Sequence, residues 1–478
     1  MHLVDYIKYD GLGIAELIRS KEIKQDEAIN CALEAAELLN PKINTILEVF
    51  PEPLSGNESS EAPFHGVPFL IKDLALHAEG VLNEMGSRLT QGLRPPHDTD
   101  LMRKFRAAGL RTIARASTPE FGYCPTTEPV VNGPSRNPWD LNRMPGGSSG
   151  ATSASVAAGI VPLAHANDGG GSIRIPASCC GLFGLKPTRG RVAVGPDAAE
   201  PLSGLAIEFA VTRSIRDAAS LLDAVQGAGI GDPFEIAPPE QLYSTSFNND
   251  PGHLKIAYMT EPWSDVEMNE EVKKACLDTV KQCDQLGHIV SEDRPEINWQ
   301  QFFEATHVLW TANIAVLVDY AASLTGRKVD ENTLESSTLS CYHYGKQLKA
   351  EQLLRAQADA NQICRTVGQF FQEYDMLLTP TTTQLPLPIG TMNANDSKFD
   401  ALGWSTHVFN YCPFTPLFNM TGQPAISLPL HQSSEKLPIG MQFVGRYGHE
   451  SLLLQLARQF EQAHPWPKIA PLISTLIK

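Results

Sequence analysis

Apolar positions near the start of the chain recur at helical spacing. Leu12, Ala15, Leu17 and Ile18 mark a first helix, and Ala28 to Leu39 mark a second that Pro41 is expected to stop. The polar, proline-bearing run PEPLSGNESSEAP at 51–63 reads as a loop. The pattern then shortens. Val67 to Ile71 is an apolar run of strand length, with Lys72 at its end and Asp73 next to it. DTDLMRKFRAAG at 98–109 reads as a helix with Asp98 or Thr99 as its cap. Leu101, Phe105 and Ala108 form its face, Gly109 its stop, and LRTIARAST follows as a strand. Glu120 to Trp139 carries neither period and is rich in Pro, Thr, Asn and Gly. An irregular stretch of that length is expected to be a pocket wall.

Between Ser149 and Ile160 nearly every residue is Ala, Ser or Gly, which suits a helix packed tightly against its neighbours. The chain from Ile160 to Asp168 has the length to return as a strand. ASCCGLFGLKPTRGRV at 177–192 reads as a turn and a strand. Ser214 and Asp217 form a capping-box pattern ahead of Ile215, Ala218, Leu222 and Val225, with Gly227 at the end. Residues 228–252, rich in Pro, Gly and Asn, are the best candidate for a linker or a long surface crossing. LKIAYM, HIVS, YDMLLTP, AISLPL and IGMQFVG read as strands. Glu270 to Leu286, the stretch 299–373 and Glu450 to Gln462 read as helical. Strands alternating with helices predict an α/β protein with one large mixed or mostly parallel sheet and helices on its faces.

Composition narrows the class. The 478 residues are 42% hydrophobic and 19% charged, with a net charge of −16 and no dense Lys/Arg run. A nucleic-acid or anionic-membrane binder would need a basic surface, so neither is expected as a partner. The nine cysteines never form CxxC pairs, and the adjacent Cys179 and Cys180 read as buried thiols. His77, His97 and His165 show no metal-ligand spacing. No apolar run reaches the ~20 residues that span a bilayer, and no signal peptide is evident. The expected location is the cytoplasm, with no metal and no cofactor.

Chemistry concentrates between Met144 and Pro176. Two glycine runs there carry serines, GGSSG around Ser148 and DGGGSIR around Ser172. Consecutive N–H groups beside a hydroxyl are what acyl transfer needs. GGSSG also fits the G-x-S-x-G nucleophile elbow, but that motif needs a strand directly before it. Here RNPWDLNRMP precedes it, with two prolines and no apolar alternation. Lys72 can act as a base only if burial favours its neutral form.

PFLIKD, GGSSG and DGGGSIRIP together resemble the amidase signature family, and GLKPTRGRV at 184–192 continues the likeness. TPEFG, RNPWD, TGQPAISLP and LPIGMQFVG extend it over nearly the whole chain. Within the family the chain looks most like the branch of bacterial 6-aminohexanoate cyclic dimer hydrolases. The resemblance implies a single α/β/α amidase domain over 1–478 with a central mixed sheet. Packing helices would occupy 1–50, the signature core about 64–192 and a helical insert about 299–373. It implies a Ser–cis-Ser–Lys triad, with Ser172 as nucleophile, Ser148 as the bridge after a cis bond from Gly147, and Lys72 as base. The oxyanion hole falls on the amides of Gly169, Gly170, Gly171 and Ser172, braced by Asp168 and Arg174. Two departures, Ala151 and Asn167, are not expected to touch the triad.

The activity implied is hydrolysis of a small or medium amide, linear or cyclic, by a free-standing chain or homodimer. The alternative is the amidase subunit of a tRNA-dependent amidotransferase, which works only with partner subunits. Discrimination between amides must come from outside the glycine runs. Glu120–Trp139, the helical stretch 299–350 and Phe409–Phe418 are the candidates, with Trp310 first. Geometry should place Lys72 Nζ on Ser148 Oγ, Ser148 Oγ on Ser172 Oγ, and no carboxylate on a buried Lys72.

Overall fold

A computed structural model of the chain describes residues 1–56 and 59–477, which form two sheets with helices packed around them. The chain opens with α1 (Leu3–Tyr6), α2 (Gly11–Arg19) and α3 (Gln25–Ile43). Pro41 does not stop α3. It stands in the last turn, where a missing N–H removes one hydrogen bond, and the helix ends at Asn44 in the left-handed region. The expected loop at 51–63 is in part a strand, β1 (Ile46–Leu54). β1 lies at a sheet edge, where Pro51 and Pro53 leave no ladder bond unmade. Residues 57 and 58 of that run lie outside the described residues.

β2 (Pro68–Lys72) leads through α4 (Asp100–Ala107) to β3 (Arg111–Ala116). Thr99 caps α4 by accepting from Met102 N, and Leu101, Phe105 and Ala108 are buried, as the periodicity predicts. These strands form a separate sheet, β1-β3-β2, with β2 and β3 parallel. Lys72 therefore does not sit in the main sheet.

The main sheet draws on the rest of the chain. α5 (Gly150–Ala157), β4 (Leu163–Asp168), α6 (Arg174–Cys180), β5 (Phe183–Lys186), β6 (Ile207–Thr212), α7 (Ile215–Val225) and α8 (Tyr243–Ser246) come first. α6 is a helix where a turn was expected, and Gly181 ends it at φ 72°. β7 (Lys255–Tyr258), α9 (Glu270–Gln285) and β8 (Ile289–Glu292) form a parallel β–α–β unit. α10 (Trp299–Thr325), α11 (Ser336–Gln347) and α12 (Ala350–Glu373) precede β9 (Met376–Pro380). α13 (Ala401–Tyr411), α14 (Leu417–Thr421), β10 (Ala425–Gln432), β11 (Pro438–Gly445), α15 (Glu450–Ala463) and α16 (Pro471–Ser474) complete it.

Strand order is β4-β6-β5-β10-β11-β9-β7-β8. β7 runs parallel to β8 and β9, and the other neighbours are antiparallel, so the sheet is mixed rather than mostly parallel. β4, β5, β6, β9 and β11 are buried along their whole length, since helices cover both faces.

The 228–252 stretch is a surface crossing, pinned where Asp223 accepts from Tyr243 N and Ser244 N. Ser214 accepts from Asp217 N as the capping pattern requires. The Asp217 carboxylate, however, reaches across to Gly11 N and Leu12 N and caps α2 instead. By length and composition alone α10 is long and apolar enough to cross a bilayer, a test that buried core helices pass too. One face of it is buried, through Phe302, Leu309, Ile314 and Val318.

Candidate active site

β2 delivers Lys72 to a point where no part of it meets solvent. Its backbone N–H donates to His165 Nδ1 at 3.3 Å, which ties the small sheet to β4. Its Nζ has three oxygen neighbours: Ser148 Oγ at 2.7 Å, Ser149 Oγ at 3.1 Å and Asn167 Oδ1 at 2.6 Å. Among the described residues no carboxylate pairs with it. Asp73, one position on, pairs instead with Arg115 at 2.9 Å. Burial lowers the Lys72 pKa to about 7, against the opposing pull of Glu208 and Asp168.

The neighbours decide which way hydrogens run. Asn167 Nδ2 donates to Leu74 O at 3.1 Å, which turns Oδ1 towards Lys72. The Ser149 hydroxyl donates to Asn167 O at 3.1 Å, so only its lone pairs remain for Lys72. A neutral amine with two hydrogens can satisfy both acceptors, and its lone pair is then left for the hydroxyl proton of Ser148. Asn167 thus touches the lysine directly, contrary to the expectation that it would not. Ala151 is buried in α5 and makes no such contact.

The second glycine run is held from within. Asp168 accepts from Gly171 N at 2.7 Å and Ile173 N at 3.1 Å, and from Arg174 Nε and Nη2 at 2.9 and 2.8 Å. Arg174 also donates to Thr415 O, Gln442 Oε1 and Asn419 Oδ1. Burial alone would raise the Asp168 pKa, but Arg174, Lys186 and the Asn419 amide outweigh it and hold the carboxyl well below its usual range. Gly171 was expected among the oxyanion donors, but its N–H is taken by Asp168. At Gly171 φ is 132° and a Cβ would stand 2.3 Å from Thr415 Oγ1, so no other residue fits. Among the described residues the amides of Gly169, Gly170 and Ser172 donate to no protein acceptor.

The Gly147–Ser148 peptide is cis. Ser149 N donates to Ser172 O at 3.3 Å and draws the two serine loops together. The expected Ser148–Ser172 hydroxyl bond is absent among the described residues. Ser148 Oγ is drawn to Lys72, while Ser172, 8% exposed, faces a cavity. Contacts of this kind commonly tighten only around substrate.

That cavity holds about 350 Å³ of space including its mouth, and Gly147, Gly170 and Ser172 form one wall. Tyr123, Ile175, Trp310, Phe409 and Pro416 form much of the rest, and no charged side chain lines it. Trp310 stacks on Tyr123 with ring centroids 4.5 Å apart. The Tyr123 hydroxyl is held by Ser405 Oγ, which also bonds His307 Nδ1. Of Glu120–Trp139, only Gly122 to Pro125 reach the cavity. Of Phe409–Phe418, Phe409, Cys412 and Pro416 line the cavity, Phe409 from the last turns of α13.

A family model described as Amidase matches residues 27–454. The chain belongs to the amidase family. It is 35% identical to the 6-aminohexanoate-cyclic-dimer hydrolase of Paenarthrobacter ureafaciens, over 96% of this chain and 95% of that protein. The enzyme of the same name from Pseudomonas sp. strain NK87 gives the same identity and coverage. A solved structure of 6-aminohexanoate cyclic dimer hydrolase complexed with substrate superposes with a TM-score of 0.90 at 33% identity. It covers 98% of this chain and 99% of that one. The chain is therefore a hydrolase of carbon–nitrogen bonds other than peptide bonds, and the amidase signature fold is shown with its family.

Sequence reading missed four residues of this amidase's lysine environment: Ser149, Asn167, His165 and Glu208. His165 Nε2 lies 2.7 Å from Glu208 Oε2, both buried, and Glu208 faces Asn167 across the β4–β6 pair. Only the strand register puts Glu208 there. Asn167 carried a signal, as a departure from the family pattern directly before Asp168.

Proposed function

We propose that this amidase cleaves small, uncharged amides through an acyl-enzyme on Ser172. The carrying observation is the 2.7 Å contact between a buried, carboxylate-free Lys72 and Ser148. Ser148 takes the proton of Ser172 as it attacks the amide carbon and passes its own to Lys72. The tetrahedral oxyanion is met by the amides of Gly169, Gly170 and Ser172. Lys72 returns a proton through Ser148 to the leaving amine, and water then releases the acyl group along the same path. Asp168 and Arg174 hold the glycine run in place.

The uncharged, aromatic lining favours an apolar acyl group without ammonium or carboxylate. A cyclic amide of the 6-aminohexanoate type has that character, because both of its charged ends are consumed in amide bonds. The purified chain alone should open such a ring faster than it cuts the charged linear form. A requirement for partner subunits would instead point to an amidotransferase component. All nine cysteines are unpaired, which suits a reducing compartment.

Two predictions belong to this reading. Only neutral Lys72 can take a proton, so kcat/KM should rise with pH through about 7. Asn167→Asp sets a carboxylate against Nζ, favours the ammonium form, and should move that limb up by about 1–3 pH units. Glu208→Gln removes a charge that favours the ammonium and should move it down. A limb that neither variant moves would show that Lys72 is not the titrating group. Trp310→Ala should change the ranking of acyl groups by about 10-fold or more in kcat/KM while Ser172 still reacts with a fluorophosphonate. Loss of that labelling would assign Trp310 to packing alone.

A further inference from the structure

Away from the amide cavity, three separated stretches bring two imidazoles and a carboxylate together. His77 follows β2, His97 precedes α4, and Asp197 follows β5 on the turn that begins at Gly195. One ligand atom from each lies within 4.8 Å of the others. His77 Nε2 is 3.3 Å from Asp197 Oδ2, and His97 Nε2 is 3.0 Å from Asp197 Oδ1. The two rings meet edge to face at 5.4 Å. Sequence spacing hid this group, because positions 77, 97 and 197 match no metal pattern.

The protonation of His77 makes the cluster more than a surface ion pair. Its Nδ1 lies 3.0 Å from Ala75 O, an acceptor only, so the ring hydrogen sits on Nδ1. In the neutral ring Nε2 is then a lone pair. It is buried, makes no hydrogen bond, and faces a carboxylate oxygen that is also an acceptor. His77 as a whole side chain is 11% exposed. The Asp197 and His97 side chains are 49% and 39% exposed, so the buried His77 lone pair faces a carboxylate at the protein surface, and a cation between the two satisfies both. A backbone carbonyl on the far nitrogen is the usual support of a metal-binding histidine. Asp197 Oδ2 stands 3.3 Å from both His77 Nε2 and His97 Nε2, the separation of ligands at about 2.0–2.1 Å from one tetrahedral ion. The backbone beneath is tied down, with Thr99 N donating to His77 O and Asp100 N to Gly195 O. Asp98 is not part of the group, since its carboxylate is held by Arg106 and Glu79 N.

We infer that His77 Nε2, His97 Nε2 and the Asp197 carboxylate form a binding site for a divalent transition metal, with zinc as the best match. Two nitrogen donors and one carboxylate favour zinc over magnesium or calcium, and water can fill the fourth position. None of the three lines the amide cavity. The ion acts as a clamp, fastening the segment that leaves β2 to the 195–197 turn. Leu74, three residues before His77, is the acceptor that orients Asn167, but the ion itself stands apart from the chemistry at Lys72.

Titration of chelator-treated whole chain with zinc chloride, followed by calorimetry, tests this. One zinc per chain should bind, with a dissociation constant below about 100 µM, and the unfolding temperature should rise with zinc. Magnesium should have neither effect. His77→Ala and the milder Asp197→Asn should each weaken zinc binding by more than about 10-fold. Both variants should keep wild-type fluorophosphonate labelling of Ser172, which separates failure of this site from failure of the amide site. Absence of saturable zinc binding overturns the proposal, and so does zinc affinity unchanged in both variants, since ordinary His–Asp pairing would then account for the cluster.

Discussion

Ser172→Ala is expected to lower amide turnover by about 10⁴-fold or more, equivalent to roughly 5.5 kcal/mol of barrier. The hydroxyl faces the cavity, lies beside the free amides of Gly169 and Gly170, and is bonded to no other protein group among the described residues. The substitution removes one oxygen from a position already 8% exposed, so the fold should survive. Unchanged circular dichroism and melting, with turnover lost, is the expected pattern. Substrate affinity should change little, because the apolar wall that grips the acyl group is intact. Near wild-type kcat in Ser172→Ala would remove the acyl-enzyme from consideration.

Loss of the lysine should be nearly as severe. Lys72→Met keeps the volume of the buried stem and removes the amine, and a drop in kcat of about 10⁴-fold is expected. Ser148→Ala should fall in the same range, because the proton path from Ser172 to Lys72 runs through it. The informative variant is the double one. Residues that act as a unit are grossly non-additive, so Lys72→Met with Ser148→Ala should be within about threefold of Lys72→Met alone. Losses that multiply would mean that the two act on separate steps.

Much of this was legible in the chain, for identifiable reasons. Val67 to Ile71 carried enough apolar character to mark β2, so Lys72 could be placed at a strand end. The small residues of 150–157 announced a fully buried helix, and α5 is buried at every position. The errors have causes just as local. Pro51 and Pro53 argued against a strand because their tolerance depends on an edge, and edges are set by tertiary pairing. Asp217 looked like a partner for its own helix because nothing local reveals that α2 begins beside it. Gly171 resembled its neighbours Gly169 and Gly170 until Asp168 claimed its N–H. Glu208 and Asn167 tune the lysine from positions that only a strand register and a side-chain contact define.

The central claim is that Ser172, and not Ser148, forms the covalent bond to the acyl group. Peptide mapping by mass spectrometry, on protein trapped with a fluorophosphonate and on protein acid-quenched during turnover, tests it most directly. The account predicts one adduct per chain, on the peptide bearing Ser172, and none in Ser172→Ala. An adduct on Ser148 would contradict it and restore the nucleophile-elbow reading of GGSSG.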